Sequence, residues 1–509
     1  MNLENALAEI AQFLESKNEW LLINSIARSF SLRKNEIEIS LEHNKIIFGF
    51  LDEKGFQVWR VTNYKIENEK ITLDLTRNFE REHEKVQLVP RVSASELSET
   101  AELARLEKAN NIASLLISEK RAAKLIRVAL NERNGRFAQI IFENSKGRQT
   151  AALTDVSDVV TPENFLSTAI LWLAKLENRK RKPINEIWIL ADKKRVKNLQ
   201  KLHALLNENR KEKINLWEIF YKSAKTQNGE KSILKQLNKL EIKDLWREKP
   251  KEISLMKNFE ISQTAQEIIK LSPDKIDLLF TKHGETLRFL GLPFARVRKT
   301  FGEEKTWFGI ESVKQILNEK SRIDFFDLLE NLKIYRRSAS PNERHALFRL
   351  APEAWLEAVL RRNIKLLDAN LVLSPIYNQF RASNDKIDLL ALRQDGRLVI
   401  VELKVSPDRE MIFQAADYWR KIELQRRKGN LQKAEIFGNL KISDAPALVY
   451  LVAPTLSFHY DFEFLSRAIS PEIEIYRFDL NENWRKDLKV MKREKNSATN
   501  KHEFSFLFF

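Results

Sequence analysis

The stretch from Lys386 to Tyr418, KIDLLALRQDGRLVIVELKVSPDREMIFQAADY, constrains this chain more than any other. It reads as an apolar strand carrying Asp388, a reversal at Gln394-Asp395-Gly396, and a second apolar strand from Leu398 to Val405 carrying Glu402 and Lys404. An Asp-Gly pair between two apolar runs is a strong short-range hairpin signal. The hairpin sets two carboxylates and an ammonium side by side in hydrophobic surroundings. Charges are costly there unless they pair or hold a cation.

The rest of the chain bounds what such a hairpin can belong to. With 509 residues, about two to four domains are expected. A hydrophobic content of 43% supplies ordinary cores, and 31% charged residues with only 12 Gly and 13 Pro argue against long disordered regions. There is no cysteine, which excludes disulfides and thiolate metal sites, so a metal would be held by oxygen or imidazole. The opening MNLENALAEIAQFLESKNEW is an amphipathic helix with acidic residues and lacks the form of a signal peptide. No apolar run reaches membrane-spanning length, so no membrane partner is expected and a reducing cytoplasm is the expected setting. The net charge of +16 suits a polyanion such as nucleic acid, although a lysine-rich proteome yields the same excess.

Along the chain, residues 1–28 read as helix. Four short alternating strands follow, EIEISLE, KIIFGFL, FQVWRVT and KITLDLT, as a small antiparallel β module. Trp59-Arg60 in that module could stack on a base, or Trp59 could be core. Ser93 to Asn131 reads as helical, with SASE and SELSE as caps. The segment from Phe137 to Phe220 then runs strand, turn, strand, helix, strand, helix, strand, and the carboxy-terminal region repeats that order: helix Pro352 to Leu367, a strand near Val372 to Phe380, the Asp388 and Glu402 strands, helix Arg409 to Gln425, strand Ala447 to Val452, helix Phe462 to Ile469 and strand Glu472 to Phe478. Superposing Gly147 on Gly396 puts Leu153 at Glu402, Asp155 at Lys404, and either Ala138 or Gln139 at Asp388. This is an internal repeat whose first copy has lost the charged set, or else two unrelated α/β units. Residues 223–345 are less legible; the hairpin around Asp277 lacks a second-strand carboxylate, because Gly291 and Leu292 stand there, and reads as structural. The basic run Arg179 to Lys182 reads as a solvated loop, with contact to phosphate as the alternative, and the tail ends in Phe504, Phe506, Leu507, Phe508 and Phe509, expected to dock on the protein itself rather than to clamp a partner. The expected division is 1–96 helix plus β module, 97–222 degenerate α/β copy, 223–345 connecting region, 346–483 catalytic domain and 484–509 basic tail.

Phosphodiester hydrolysis needs an activated water and stabilised oxygen charge, and Mg²⁺ or Mn²⁺ bound by hard oxygens supplies both. Asp388 and Glu402 on adjacent strands can share one ion, with the Leu403 carbonyl as a further oxygen. Lys404 lies on the same sheet face as Glu402, because strand side chains alternate, and can orient water or hold a phosphate oxygen. Glu357, on the helix before the first strand, is the expected third carboxylate, with Glu353 one turn earlier as the competing choice; Glu357 could equally pair with Arg361. Gln414 and Tyr418, four residues apart on the following helix, project from one face toward the metal waters and the phosphate.

That order resembles the PD-(D/E)XK nuclease superfamily, and the Gln-x-x-x-Tyr helix is similar to its RecB-type branch, over about residues 350–480. The resemblance implies an α/β fold with a restriction-endonuclease-like mixed sheet flanked by helices, and Mg²⁺- or Mn²⁺-dependent cleavage of nucleic acid, expected to be DNA. It implies Asp388, Glu402 and Lys404 as the catalytic trio, Gln414 and Tyr418 as the helix pair, and Glu357 as the helix carboxylate. Lys386-Ile387 stands where the family has a proline before the aspartate, and no phosphate-binding Gly-x-x-x-x-Gly-Lys loop is present. The competing class is a nucleic-acid-binding scaffold of the same fold without turnover. Endo or exo mode and oligomeric state, including a homodimer, stay open.

Overall fold

The computed structural model describes residues 3–24, 29–52, 55–67, 70–77, 82–91, 94–119, 121–132, 135–222, 231–250, 260–281, 284–300, 303–311, 314–374 and 387–496. The chain divides into two compact units, Met1–Ala104 and Arg105–Phe509.

The first unit is one seven-stranded antiparallel sheet with a helix. Helix α1 (Leu3–Glu15) precedes β1 (Glu19–Asn24), β2 (Ser29–Arg33), β3 (Ile37–Glu42), β4 (Lys45–Asp52), β5 (Gly55–Glu67), β6 (Lys70–Arg77) and β7 (Glu82–Pro90), in the spatial order β2-β1-β7-β6-β5-β4-β3. Ala6, Ile10 and Leu14, at helical spacing, pack with Trp20, Phe48, Leu73 and Leu88 in its core. The opening helix is shorter than the sequence suggested. From Trp20 the burial alternates with period two, and the Trp20 indole N–H donates to the Leu14 carbonyl at 3.1 Å, which turns the chain from helix into β1. Trp59 belongs to this core, with the Arg77 guanidinium 4.2 Å from its ring centroid.

The second unit begins within α2 (Ala94–Ser118) and continues with β8 (Lys124–Leu130), β9 (Phe137–Glu143), β10 (Gln149–Asp155), α3 (Pro162–Glu177), β11 (Ile187–Asp192), α4 (Lys193–His203), α5 (Glu208–Lys213), β12 (Ile214–Lys222) and β13 (Lys231–Gln236). The helix expected to reach Asn131 stops at Ser118, and KLIRVAL is instead the edge strand β8, paired with β9. Next come α6 (Ile242–Leu245), α7 (Gln263–Lys270) and an antiparallel sheet of β14 (Ile276–Thr281), β15 (Gly284–Phe289), β16 (Leu292–Thr300), β17 (Glu303–Phe308) and β18 (Gln315–Ile316). Helices α8 (Arg322–Tyr335), α9 (Ala346–Arg349) and α10 (Pro352–Arg362) lead to β19 (Leu371–Leu373), β20 (Leu389–Arg393), β21 (Leu398–Leu403), α11 (Met411–Arg427), α12 (Asn430–Lys433), β22 (Leu448–Pro454), α13 (Phe462–Ser466), β23 (Ile475–Leu480) and β24 (Val490–Lys495). Of the strand expected over Val372 to Phe380, residues 375–380 lie outside the described residues, as do the terminal aromatics from Phe504 to Phe509. No described helix is long and apolar enough to cross a membrane.

The sheets β8–β13 and β19–β24 have the same design. In both, spatial order follows chain order, and successive pairings are antiparallel, antiparallel, parallel, parallel, antiparallel. A constant offset of 249 residues, the separation of Thr161 from Glu410, carries the rungs of the β9–β10 hairpin onto β20–β21. The two copies meet through equivalent elements. Leu206 and Ile469 form an antiparallel bridge. The Asn207 N–H donates to the Ala468 carbonyl, and reciprocally the Ser470 N–H donates to the Leu205 carbonyl, both at 2.8 Å. The caps of α3 and α11 also meet, since Thr161 Oγ1 donates to Glu410 Oε2 at 2.7 Å and Asn164 Nδ2 to Glu410 Oε1 at 2.6 Å. Such reciprocity is that of an isologous two-fold contact. Phe165, Leu166 and Leu173 of α3 merge with Ile412, Ala416 and Trp419 of α11 in one core, while the opposite face of β19–β24 packs on the β14–β18 sheet and α8 and α10.

Candidate active site

The site forms where the β20–β21 hairpin opens. Both strands are buried on both faces, which suits their near-continuous apolar runs. Gly396 turns the hairpin with φ +80°, and a Cβ there would stand 2.9 Å from the Lys441 carbonyl oxygen. Leu389 pairs with Val401 and Leu390 with Ile400, so the next rung sets Asp388 opposite Glu402. Alternation puts Asp388, Glu402 and Lys404 on the face of Leu390 and Ile400, which is the face α11 covers.

Asp388 Oδ2 accepts the Leu403 N–H at 2.9 Å. Glu402 is 3% exposed; its Oε1 is 3.3 Å from Lys404 Nζ, and its Oε2 has no hydrogen-bond partner among the described residues. Lys404 Nζ also lies 3.1 Å from Asp408 Oδ2. Burial pushes the Glu402 carboxyl well above the usual carboxylate range, the charges of Asp388 and Glu353 add to that push, and the Lys404 ammonium opposes it. Burial works to lower Lys404, but the charges of Glu402, Asp408 and Glu353 outweigh it and hold the pKa above the ordinary lysine value. The cluster therefore carries more negative charge than Lys404 alone offsets.

The other expected residues divide. Glu357 is buried, yet its Oε1 lies 3.5 Å from Arg288 Nη1 and 3.8 Å from Arg361 Nη1, in a network with Asp277. Glu353, one turn earlier on α10, is the helix carboxylate whose charge acts on Glu402 and Lys404. Arg288, on β15 and 69 residues away in sequence, and Arg361, the i+4 partner the sequence offered, both engage Glu357 Oε1, while its Oε2 has no hydrogen-bond partner among the described residues. Gln414 and Tyr418 are both half-buried on α11; Tyr418 packs against the shared core, and the Lys421 ammonium stands 5.6 Å from its ring centroid. Sequence reasoning also passed over Asp408 and Glu410. Asp408 Oδ1 accepts the Glu410 N–H at 2.7 Å, and Glu410 reaches across to Thr161 and Asn164, so a chain of contacts runs from α3 to Lys404. The acidic pair in SPDRE, placed between the strand and the helix, was the available signal.

Among the described residues no group of three or more His, Asp or Glu side chains is gathered to hold a metal by itself. A hard cation here would draw on Asp388, Glu402, the Leu403 carbonyl and water. That set fits Mg²⁺, which keeps several waters and takes one or two carboxylates, and the unpartnered Glu402 Oε2 is the atom left to receive it.

The same positions in the other copy are chemically blank. At the 249-residue offset Gln139 stands at Asp388, Leu153 at Glu402, Asp155 at Lys404, Phe165 at Gln414 and Ala169 at Tyr418. The rung Leu153–Gln139 settles the alternative between Ala138 and Gln139. Asp155 is tied by Arg195 at 2.6 Å and by the Ser157 N–H at 2.7 Å.

No family model matches the chain, and no curated protein matches it. A solved structure of EndoMS in its apo form aligns with 11% identity over 38% of this chain and 90% of that chain, at a TM-score of 0.15. At that score the likeness carries no argument.

Proposed function

We propose that this chain is a metal-dependent nuclease of the PD-(D/E)XK type, cleaving phosphodiester bonds in nucleic acid, with DNA as the expected polymer. The observation that carries the reading is the convergence of Asp388, Glu402 and Lys404 on one sheet face, with a buried glutamate oxygen that has no partner among the described residues and a carboxyl pushed toward protonation. The architecture supports it: a mixed sheet with helices on both faces, the charged set at the open end of a hairpin, and α11 crossing that end. Asp388 and Glu402 would hold Mg²⁺ or Mn²⁺, with Glu353 acting through water or charge in place of Glu357. The bound ion supplies an acidified water and neutralises developing oxygen charge. Lys404, ion-paired with Glu402 and Asp408, donates to a phosphate oxygen in the transition state. Gln414 and Tyr418 orient water and phosphate from α11.

The test is a panel of linear, circular, branched and single-stranded substrates with Mg²⁺, Mn²⁺ or EDTA, run on wild type and on Asp388→Ala, Glu402→Ala and Lys404→Ala. Each variant should lose at least a hundredfold in rate, given the typical worth of one group that stabilises transition-state charge, roughly 10²–10³. Variants that cut as well as wild type, or a wild type that cuts nothing with either metal, overturn the assignment.

A further inference from the structure

The two copies present mate surfaces across their pseudo-two-fold, and these surfaces have diverged in opposite senses. On one side, Thr168, Leu171, Trp172, Lys175 and Leu176 of α3 line a groove of about 790 Å³. On the other, their equivalents at the 249-residue offset, Asp417, Arg420, Lys421, Leu424 and Gln425 of α11, line a cavity of about 470 Å³. The α11 side is neutralised: Arg420 pairs with Asp417 at 2.7 Å and Glu248 at 3.5 Å, Lys421 with Asp417 at 2.6 Å, and Lys201 with Glu248 at 2.7 Å.

The α3 side is open and cationic. Arg127, Lys175 and Arg179 are exposed and have no carboxylate partner among the described residues, whereas the nearby Arg210 and Lys213 both pair with Glu177. Glu132 is the one acid in the lining among the described residues. Trp172, Leu171 and Ile141 make an apolar floor, and Tyr460, 82% exposed, closes one end with its hydroxyl 2.9 Å from Arg409. Arg409 lies five positions beyond Lys404 in sequence, so the groove joins the loop that leaves the charged hairpin.

We propose that this groove is a binding track for a single strand of nucleic acid, with Arg127, Lys175 and Arg179 on the phosphates and Tyr460 as a stacking platform for a base. A positive groove with an exposed aromatic is how single strands are held without sequence reading, because every base has a π face. The proposal rests on the nuclease reading for its purpose, since it lets the chemically blank copy hold substrate for the other, but not for the binding itself.

The test uses a fluorescent 20-nucleotide single strand and the matching duplex, with the full chain in EDTA, read by anisotropy across salt concentration. The triple variant Arg127→Gln/Lys175→Gln/Arg179→Gln should bind the single strand about ten- to a hundredfold more weakly. Its log K against log salt slope should be shallower by about 2, because each phosphate contact on a single strand contributes roughly 0.7. Tyr460→Ala should weaken the single strand about tenfold and the duplex less, as expected for loss of one stacked base. Lys201→Gln on the sealed mate serves as the control and should leave affinity unchanged. Thermal unfolding checks that each variant is folded, and Arg179→Glu alone stands in if the triple variant is not. A triple variant with the wild-type Kd and salt slope overturns the groove, as does equal loss from Lys201→Gln. A wild type that binds through these residues but cuts nothing defeats the nuclease reading and leaves the groove standing.

Discussion

Replacing Glu402 with glutamine should make the metal-free protein more stable while abolishing cleavage, and the effect should depend on pH with a defined sign. Burial and the charges of Asp388 and Glu353 raise the Glu402 pKa, so the folded chain holds a proton that the unfolded chain releases. Stability contributed by that proton is complete below the ordinary glutamate value and is lost as pH climbs toward the raised one. Glu402→Gln removes the titration; its carbonyl can still accept from Lys404, and its amide can donate on the Asp388 side. At pH 5 the two proteins should unfold together. By pH 8 the variant should be ahead by about 1–3 kcal/mol, the cost of a buried polar atom left unpaired. Metal reverses the order: Mn²⁺ at a hundred times its Kd adds about 2.7 kcal/mol to wild type and little to the variant. Thermal unfolding from pH 5 to 9, with EDTA or Mn²⁺, reads both effects. A variant less stable than wild type at every pH in EDTA, or Mn²⁺ stabilising both equally, refutes the argument.

Three further outcomes follow from the same geometry. At limiting Mn²⁺ the pH–rate profile should show an acid limb above the usual carboxylate range, set by Glu402, and that limb should move to lower pH as Mn²⁺ is raised, because metal and proton compete for the carboxylate; an acid limb that does not respond to Mn²⁺ concentration would contradict this. Gly291→Ala should lower stability by about 1–3 kcal/mol or more, read as a lower unfolding temperature, since Gly291 has φ +81° and a Cβ would stand 1.9 Å from the Ala354 carbonyl oxygen. Supercoiled plasmid should pass through accumulating nicked circles, because one copy of the repeat carries Asp388, Glu402 and Lys404 and the other carries Gln139, Leu153 and Asp155; direct conversion to linear DNA without a nicked intermediate would refute it.

What the sequence disclosed follows the range of the forces involved. The Asp388–Glu402 hairpin was legible because its strand period, its Asp-Gly turn and its out-of-place charges are all local signals. The order of the repeat was legible for the same reason. Strand β8 was not: KLIRVAL follows a long helix with only Glu119 to Ala123 between them, and its pattern becomes a strand only by pairing with β9. Most of the β14–β18 sheet escaped notice because its register depends on bulged pairing between β15 and β16. The Arg288 contact to Glu357 joins residues 69 apart, and the relay from Thr161 through Glu410 and Asp408 to Lys404 joins segments nearly half the chain apart.

That relay bears on why a chemically blank copy persists. In a homodimer every substitution appears on both sides of the axis, so a surface cannot be opened for binding on one side and sealed on the other. Fusing the copies in one chain removes that constraint. Here the blank copy has exchanged the charged trio for Gln139, Leu153 and Asp155 while keeping Arg127, Lys175 and Arg179, cations with no carboxylate partner among the described residues; the other copy keeps Asp388, Glu402 and Lys404 and neutralises its mate surface through Asp417 and Glu248. Neither copy need bury the trio's charge and display the cations at once. The reciprocal Asn207–Ala468 and Ser470–Leu205 hydrogen bonds keep the halves in register, and the Glu410 contact to Thr161 and Asn164 gives the blank copy a physical hold on the loop that carries Asp408 to Lys404. Cutting that hold with Glu410→Ala should therefore lower the rate at saturating substrate while leaving the salt slope of binding unchanged, whereas loss of the groove cations should do the reverse.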